Sequence, residues 1–222
     1  MLETEIAGHA VLLHSSGAML LRDTRCLLIA DAHFGKAVSF RTWGMPVPRG
    51  TTTATLERLS EVLRETGAQR LVFLGDFLHS RRAHAPATLA ALAAWRAEHA
   101  ALPITLVRGN HDSRAGDPPA TLGIDVVEEP LRIGPWALCH HPGPADGAYV
   151  LAGHWHPCIR LHGSARQSLR LPCFWFGDPA TRGVGVLPAF GSFTGMHPVQ
   201  RSASDRIFAV AEHVVRELPP PV

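Results

Sequence analysis

No apolar run in this 222-residue chain is long enough to span a membrane, and no basic start followed by an apolar stretch marks a secretory leader. A cytoplasmic location with no membrane partner is therefore expected. The four cysteines, Cys26, Cys139, Cys158 and Cys173, form no CxxC pair, which argues against a thiolate metal site or a disulfide framework. They read as free, structural side chains of a reducing compartment. A dominant charge is also missing. The formal net charge of +2 gives no general attraction for a polyanion. Lysine is almost absent: Lys36 is the only one, and every other basic side chain is arginine. Neither an internal repeat nor a linker is visible, so one domain is expected over residues 1–217, with a disordered tail over 218–222 (LPPPV).

What the chain has instead is hydrophobic content of 46 %, enough for a real core, and 14 histidines. Apolar runs at 26–30, 71–74 and 104–107 predict buried strands. Between them, Leu56, Leu59, Val62 and Leu63 recur at helical spacing within 51–66, with Gly67 as a C-cap. The Ala- and Leu-rich stretch 87–101, with Pro86 near its first turn, predicts a second helix. Strand, helix, strand, helix, strand implies right-handed crossovers and a parallel sheet. Residues 112–119 read as loop. The second half holds short β-leaning runs near 136–139, 149–152, 158–161, 169–176 and 207–210, separated by Gly, Pro and Asp. The expected fold is α/β, two packed sheets with helices over one or both outer faces.

Metal-capable side chains stand where the apolar runs end. Asp31 and His33 follow the first, Asp76 the second, and Asn110 with His111 the third. Two later runs end at His140-His141 and at His154 and His156. In an open α/β sheet, ligands gather at the carboxyl ends of strands. Each motif alone has a plain reading as a turn or a surface histidine. Five strand ends delivering carboxylate, carboxamide or imidazole to one rim have no such reading together.

The succession Asp31-Ala-His33, Gly75-Asp76, Gly109-Asn-His-Asp112, His140 after an apolar strand, and Gly153-His-Trp-His156 resembles the calcineurin-like metallophosphoesterase superfamily. The resemblance implies a four-layer αββα fold and two divalent ions. By position, Asp31, His33, Asp76 and His156 would hold one ion. Asp76, Asn110, His140 and His154 would hold the other, with Asp76 as the bridge. His111 would contact the phosphate and protonate or orient the leaving oxygen; His140 is preferred to His141 from its place at the strand end. Such a pair, about 3.5–4 Å apart, clamps a phosphoryl group for in-line displacement by a metal-activated water. Mixed carboxylate and imidazole donors suit Mn, Fe, Zn or Co, of which Mn is preferred. Many family members carry an acidic residue or Asn shortly after the Gly-Asp; here Phe77, Leu78, His79, Arg81 and Arg82 follow. His79, Arg81 and Arg82 become substrate-binding candidates, against the alternative that the arginines form a solvated turn.

The stretches Asp31 to Lys36, Gly75 to Arg82 and Gly153 to Pro157 are similar to a bacterial subgroup, the ligase-associated DNA damage response endonucleases. That resemblance implies a Mn-dependent phosphodiesterase and endonuclease on single-stranded DNA, in repair and associated with a DNA ligase, a helicase and a nuclease. Arg81, Arg82, Arg108 and Arg114 are candidates for flanking phosphates, and Trp43 and Trp155 either stack unpaired bases or pack in the core. The competing enzyme reading is a small-molecule phosphodiesterase or nucleotide pyrophosphatase of the same superfamily.

Overall fold

The computed structural model describes residues 1–48, 50–162 and 168–221. It opens with an antiparallel meander, β1 (Leu2–Ile6), β2 (His9–Leu13) and β3 (Met19–Leu21), which the sequence reading did not assign. The meander joins β4 (Cys26–Ala30) antiparallel, and from there the sheet turns parallel through β5 (Arg70–Leu74), β6 (Ile104–Val107) and β7 (Asp125–Val127). The parallel strands β4, β5 and β6 are the three apolar runs, buried on both faces.

Two helices expected from periodicity are present. One spans Thr51–Thr66, stopped by Gly67 at φ 58° with its N–H on the Leu63 carbonyl. The other spans Pro86–Glu98, three residues short of the expected end. Two more helices are short: Lys36–Thr42, and Asn110–Ala115 where a loop was expected from 112 onward. In chain order they are α1 (Lys36–Thr42), α2 (Thr51–Thr66), α3 (Pro86–Glu98) and α4 (Asn110–Ala115).

The second sheet is built from β8 (Leu131–Ile133), β9 (Trp136–Leu138), β10 (Tyr149–Ala152), β11 (Pro157–His162), β12 (Ser168–Phe176), β13 (Val184–Val186), β14 (His197–Pro198), β15 (Arg206–Ala211) and β16 (Val214–Glu217). β9, β10 and β13 run parallel, and the other pairings are antiparallel apart from β11 with β14. Three apolar clusters mark the layers. Leu59, Leu63, Leu92 and Trp95 pack α2 and α3 on Leu27, Ile29, Phe73 and Leu106 of the first sheet. Leu28, Val72, Leu74, Trp136, Phe174, Phe176 and Phe208 fill the space between the sheets. Ile159, Trp175 and Ile207 lie on the outer face of the second sheet, against Ala145, Ala148, Val199 and Leu218 rather than a helix. Among the described residues, helices therefore cover one outer face. In the expected tail, the Leu218 N–H donates to the Ile207 carbonyl at 2.9 Å, and Val222 lies outside the described residues. Among the described residues, no helix is long and apolar enough to cross a membrane.

Candidate metal centre

The carboxyl ends of β4, β5 and β6 in one sheet and of β9 and β10 in the other open onto one rim. The chain turns sharply there. Asp31 (φ 52°), His33 (46°), Asp76 (48°), His154 (71°) and His156 (48°) all hold the left-handed conformation, which side-chain-bearing residues adopt at a cost of about 1–3 kcal/mol each. Five such residues at one place require compensation from their surroundings. Backbone hydrogen bonds supply some of it. The His33 N–H donates to the Asp76 carbonyl at 2.8 Å and the His154 N–H to Asp31 Oδ2 at 2.9 Å. The His111 N–H, in the first turn of α4, donates to Asp76 Oδ1 at 2.9 Å.

All seven expected donor residues come together here. Asp76 Oδ2 lies 3.7 Å from His33 Nε2, and its Oδ1 lies 3.4 Å from His140 Nε2. His156 Nε2 is 3.4 Å from His33 Nε2 and 3.5 Å from Asp31 Oδ1. His140 Nε2 is 2.8 Å from Asn110 Oδ1 and 3.0 Å from His154 Nδ1. The tautomers follow from the far side of two rings. His140 Nδ1 faces the Leu74 carbonyl at 3.1 Å and His156 Nδ1 faces the Gly195 carbonyl at 2.9 Å. A carbonyl only accepts, so Nδ1 carries a proton in both rings and Nε2 is the nitrogen left to face the cluster and hold an ion. These nitrogens and the carboxylate oxygens then point at one another, with Asp31, Asp76 and His140 buried. Such a cluster suits divalent cations, and the donor mixture suits a borderline transition metal better than Mg or Ca.

His141, the neighbour of His140, stays beside the cluster, its ring centre 4.8 Å from that of His154, but its Nδ1 is engaged elsewhere. Its Nδ1 and its N–H both bond Glu129, whose Oε2 also accepts the His140 N–H at 2.7 Å. Glu129 thus fixes the backbone that carries His140; it was not singled out from sequence because nothing about a Glu before Pro130 signals that contact. Asp112 has a similar task, accepting the Leu78 and Gly109 N–H groups across two loops. Lys36 was also passed over as a site residue. It is half-buried near Asp31 and Asp76, and its ammonium sits 5.7 Å from the Phe40 ring centre. Its rarity in the chain was the signal.

The substrate-side residues divide. His79 stacks on His111 with ring centres 5.1 Å apart, and its carbonyl accepts from His111 Nδ1 at 2.7 Å. Arg82 lies over the exposed Trp43 ring at 6.0 Å, and Arg81 Nε donates to the Arg114 carbonyl at 3.2 Å. Arg108 is spoken for: its guanidinium pairs with Asp117 and Glu128, which removes it as a free phosphate anchor.

Burial, aided by nearby Lys36, holds the His33 imidazole far below its ordinary value and His79 down at about 4. Burial also lowers His154. In His156 burial pulls the same way, but hydrogen bonding and charge from Asp31 leave it raised. Asp112 is pushed up to about 6 by burial. A histidine with a depressed folded pKa stabilises the fold above its unfolded value, near 6.5, and that stability is lost as pH falls through the folded value. Asp112 works in the opposite sense, losing its contribution as pH rises towards 6. The metal-stripped protein is therefore expected to melt lower at about pH 5 than at about pH 7, with a shallower slope in His79→Gln. Equal slopes for the two proteins in thermal denaturation would contradict this assignment.

A family model described as calcineurin-like phosphoesterase matches residues 24–142. Among solved structures, the Pseudomonas putida nuclease MPE is 43 % identical, with a TM-score of 0.84 over 98 % of this chain and 99 % of that one. YfcE, a phosphoesterase from E. coli, is 14 % identical with a TM-score of 0.43, over 88 % of this chain and 99 % of that one. None of the curated proteins matches. Because the family model spans more than half of its length, the chain belongs to the calcineurin-like phosphoesterases, which use divalent metal ions to hydrolyse phosphoesters.

Proposed function

We propose that the enzyme is a Mn-dependent phosphodiesterase that cleaves single-stranded DNA, in the setting of DNA repair. The observation that carries this reading is the likeness, at 43 % identity over nearly the whole chain, to a protein described as a nuclease. Asp31, His33, Asp76 and His156 would hold one ion, and Asp76, Asn110, His140 and His154 the other. Bound there, the ions would supply the charge that steadies an in-line displacement and would lower the pKa of water.

The chain's own residues supply position and protons. His111 Nδ1 is committed to the His79 carbonyl, so Nε2 is the nitrogen turned toward Asp76, 3.9 Å away, on a ring that is 33 % exposed. In that pose an imidazolium at His111, with a proton on each ring nitrogen, would donate from Nε2 to a phosphate oxygen and pass that proton to the leaving oxygen, becoming neutral. His79 positions His111 through both the stack and the hydrogen bond, and stays neutral at physiological pH because burial depresses it. Arg82 stands exposed beside Trp43 and Arg81 exposed against the Arg114 carbonyl, where a guanidinium would meet a flanking phosphate rather than the scissile one.

The test compares Mn-supported nicking of a single-stranded DNA circle with turnover of bis-para-nitrophenyl phosphate and of 2′,3′-cyclic nucleotide. Nicking that needs Mn and disappears in His33→Ala supports the reading. Efficient turnover of the small esters with an intact circle would assign the enzyme to small-molecule phosphodiesters instead.

A further inference from the structure

Among the described residues, the two larger grooves that reach the donor cluster leave it in different directions. The larger, about 730 Å³, lies beyond His156 and is lined by charges of both signs, Arg58 and Arg64 beside Glu61, Glu65 and Glu212. The other, about 540 Å³, begins at His154 and is walled by Trp155, Trp175, Arg182, His197 and Gln200. Among the described residues no carboxylate lines it, and its volume is in the range of small-ligand pockets. Its floor is rigid: Trp175 is buried, and its indole N–H donates to Asp205 Oδ2 at 3.1 Å. The Arg182 guanidinium lies 5.6 Å from the Trp175 ring centre. Trp155 stands over this floor with ring centres 5.7 Å apart, yet remains 40 % exposed.

That exposure follows from the backbone. His154 and His156 both hold left-handed conformations and both send their rings into the donor cluster. The residue between them carries its indole out of the cluster and against the groove. A large aromatic left exposed one residue from the donor cluster, in a groove with an amide and with a half-exposed guanidinium that Asp205 steadies from below at 3.9 Å, matches one ligand chemistry: an unpaired nucleobase joined to phosphate.

We propose that the groove of Trp155, Trp175, Arg182 and Gln200 is a nucleobase subsite, in which the base next to the scissile phosphate stacks on Trp155. The subsite rests on the single-strand reading above and adds where the strand runs: past His154 and over Trp155. It accepts any base, since every base has a π-face.

The experiment measures KM and kcat of the Mn-loaded enzyme on an oligothymidylate and on a series of the same strand with one abasic residue at successive positions. For the wild type, the abasic residue next to the cleaved bond is expected to raise KM about 10-fold, the order of one base–aromatic stack. Trp155→Ala should raise KM about as much on the intact strand, add nothing on that abasic strand, and change kcat by less than about threefold. Trp155→Phe should restore the base dependence. Arg182→Gln, on the loop before β13 and away from the donor residues, should also raise KM. If Trp155→Ala lowers kcat with KM unchanged, or keeps the wild-type sensitivity to the abasic residue, the subsite is refuted while the single-strand activity stands. If the wild type does not cleave the oligothymidylate at all, both readings fall.

Discussion

Asp76→Asn is expected to abolish phosphodiester hydrolysis while leaving the protein folded. Its carboxylate is buried and its two oxygens serve different halves of the centre, Oδ1 toward His140 and Oδ2 toward His33. Replacing one oxygen by an amide nitrogen turns an acceptor into a donor and removes a negative charge from the middle of the cluster. The loss should exceed the roughly 10²–10³-fold in kcat that removal of one preorganised group usually costs, because both proposed ion sites lose a shared donor. Asn is the informative replacement, since it tolerates the left-handed backbone at φ 48° better than Ala does. The checks are kcat on bis-para-nitrophenyl phosphate, metal content by elemental analysis, and melting temperature. Activity within tenfold of wild type, with two ions per chain retained, would rule out Asp76 as the shared donor.

The second large effect is structural in origin. Gly75 precedes Asp76 at φ 74°, and a Cβ there would lie 2.1 Å from His140 Nδ1 and 2.7 Å from His140 Cβ. His140 has no room to retreat: it is fully buried, held by the Leu74 carbonyl and by its own N–H on Glu129. Gly75→Ala therefore adds left-handed strain to an overpacked contact, together about 2–5 kcal/mol. For a chain of this size that lowers the melting temperature by about 5–15 °C. Activity should fall further than stability, since the displaced group is His140 itself. A variant with wild-type melting temperature and activity would mean that the β5 turn relaxes freely.

The parallel strands were legible because buried β-runs in βαβ units are continuously apolar, as in Cys26–Ala30 and in residues 71–74 of β5. The helices Thr51–Thr66 and Pro86–Glu98 were legible from periodicity and from Gly67 and Pro86 at their ends. The N-terminal meander was missed, although Leu2-Glu-Thr-Glu-Ile6 alternates as an edge strand does. Its signal is short and its charged outer face resembles a loop. Helix α4 was missed because Asn110 to Ala115 has no apolar stripe; it exists through Gly109, Asp112 and the β6 end that feeds it.

The same division holds in the centre. Residue type and position at strand ends were sufficient to expect Asp31, His33, Asp76, Asn110, His140, His154 and His156 close together, as the structure brings them, because a rim built from several strand ends must draw its polar groups from the residues that follow each strand. Contacts made by residues far apart in sequence left no local trace. Glu129 clasping His140 and His141, Asp112 tying two loops, Asp117 and Glu128 neutralising Arg108, and the outward turn of Trp155 over Trp175 were decided only when the two sheets closed on each other. Periodicity and strand-end chemistry are local properties of a chain, whereas which carboxylate reaches which cation, and which aromatic ring stays exposed, depends on packing across the sandwich.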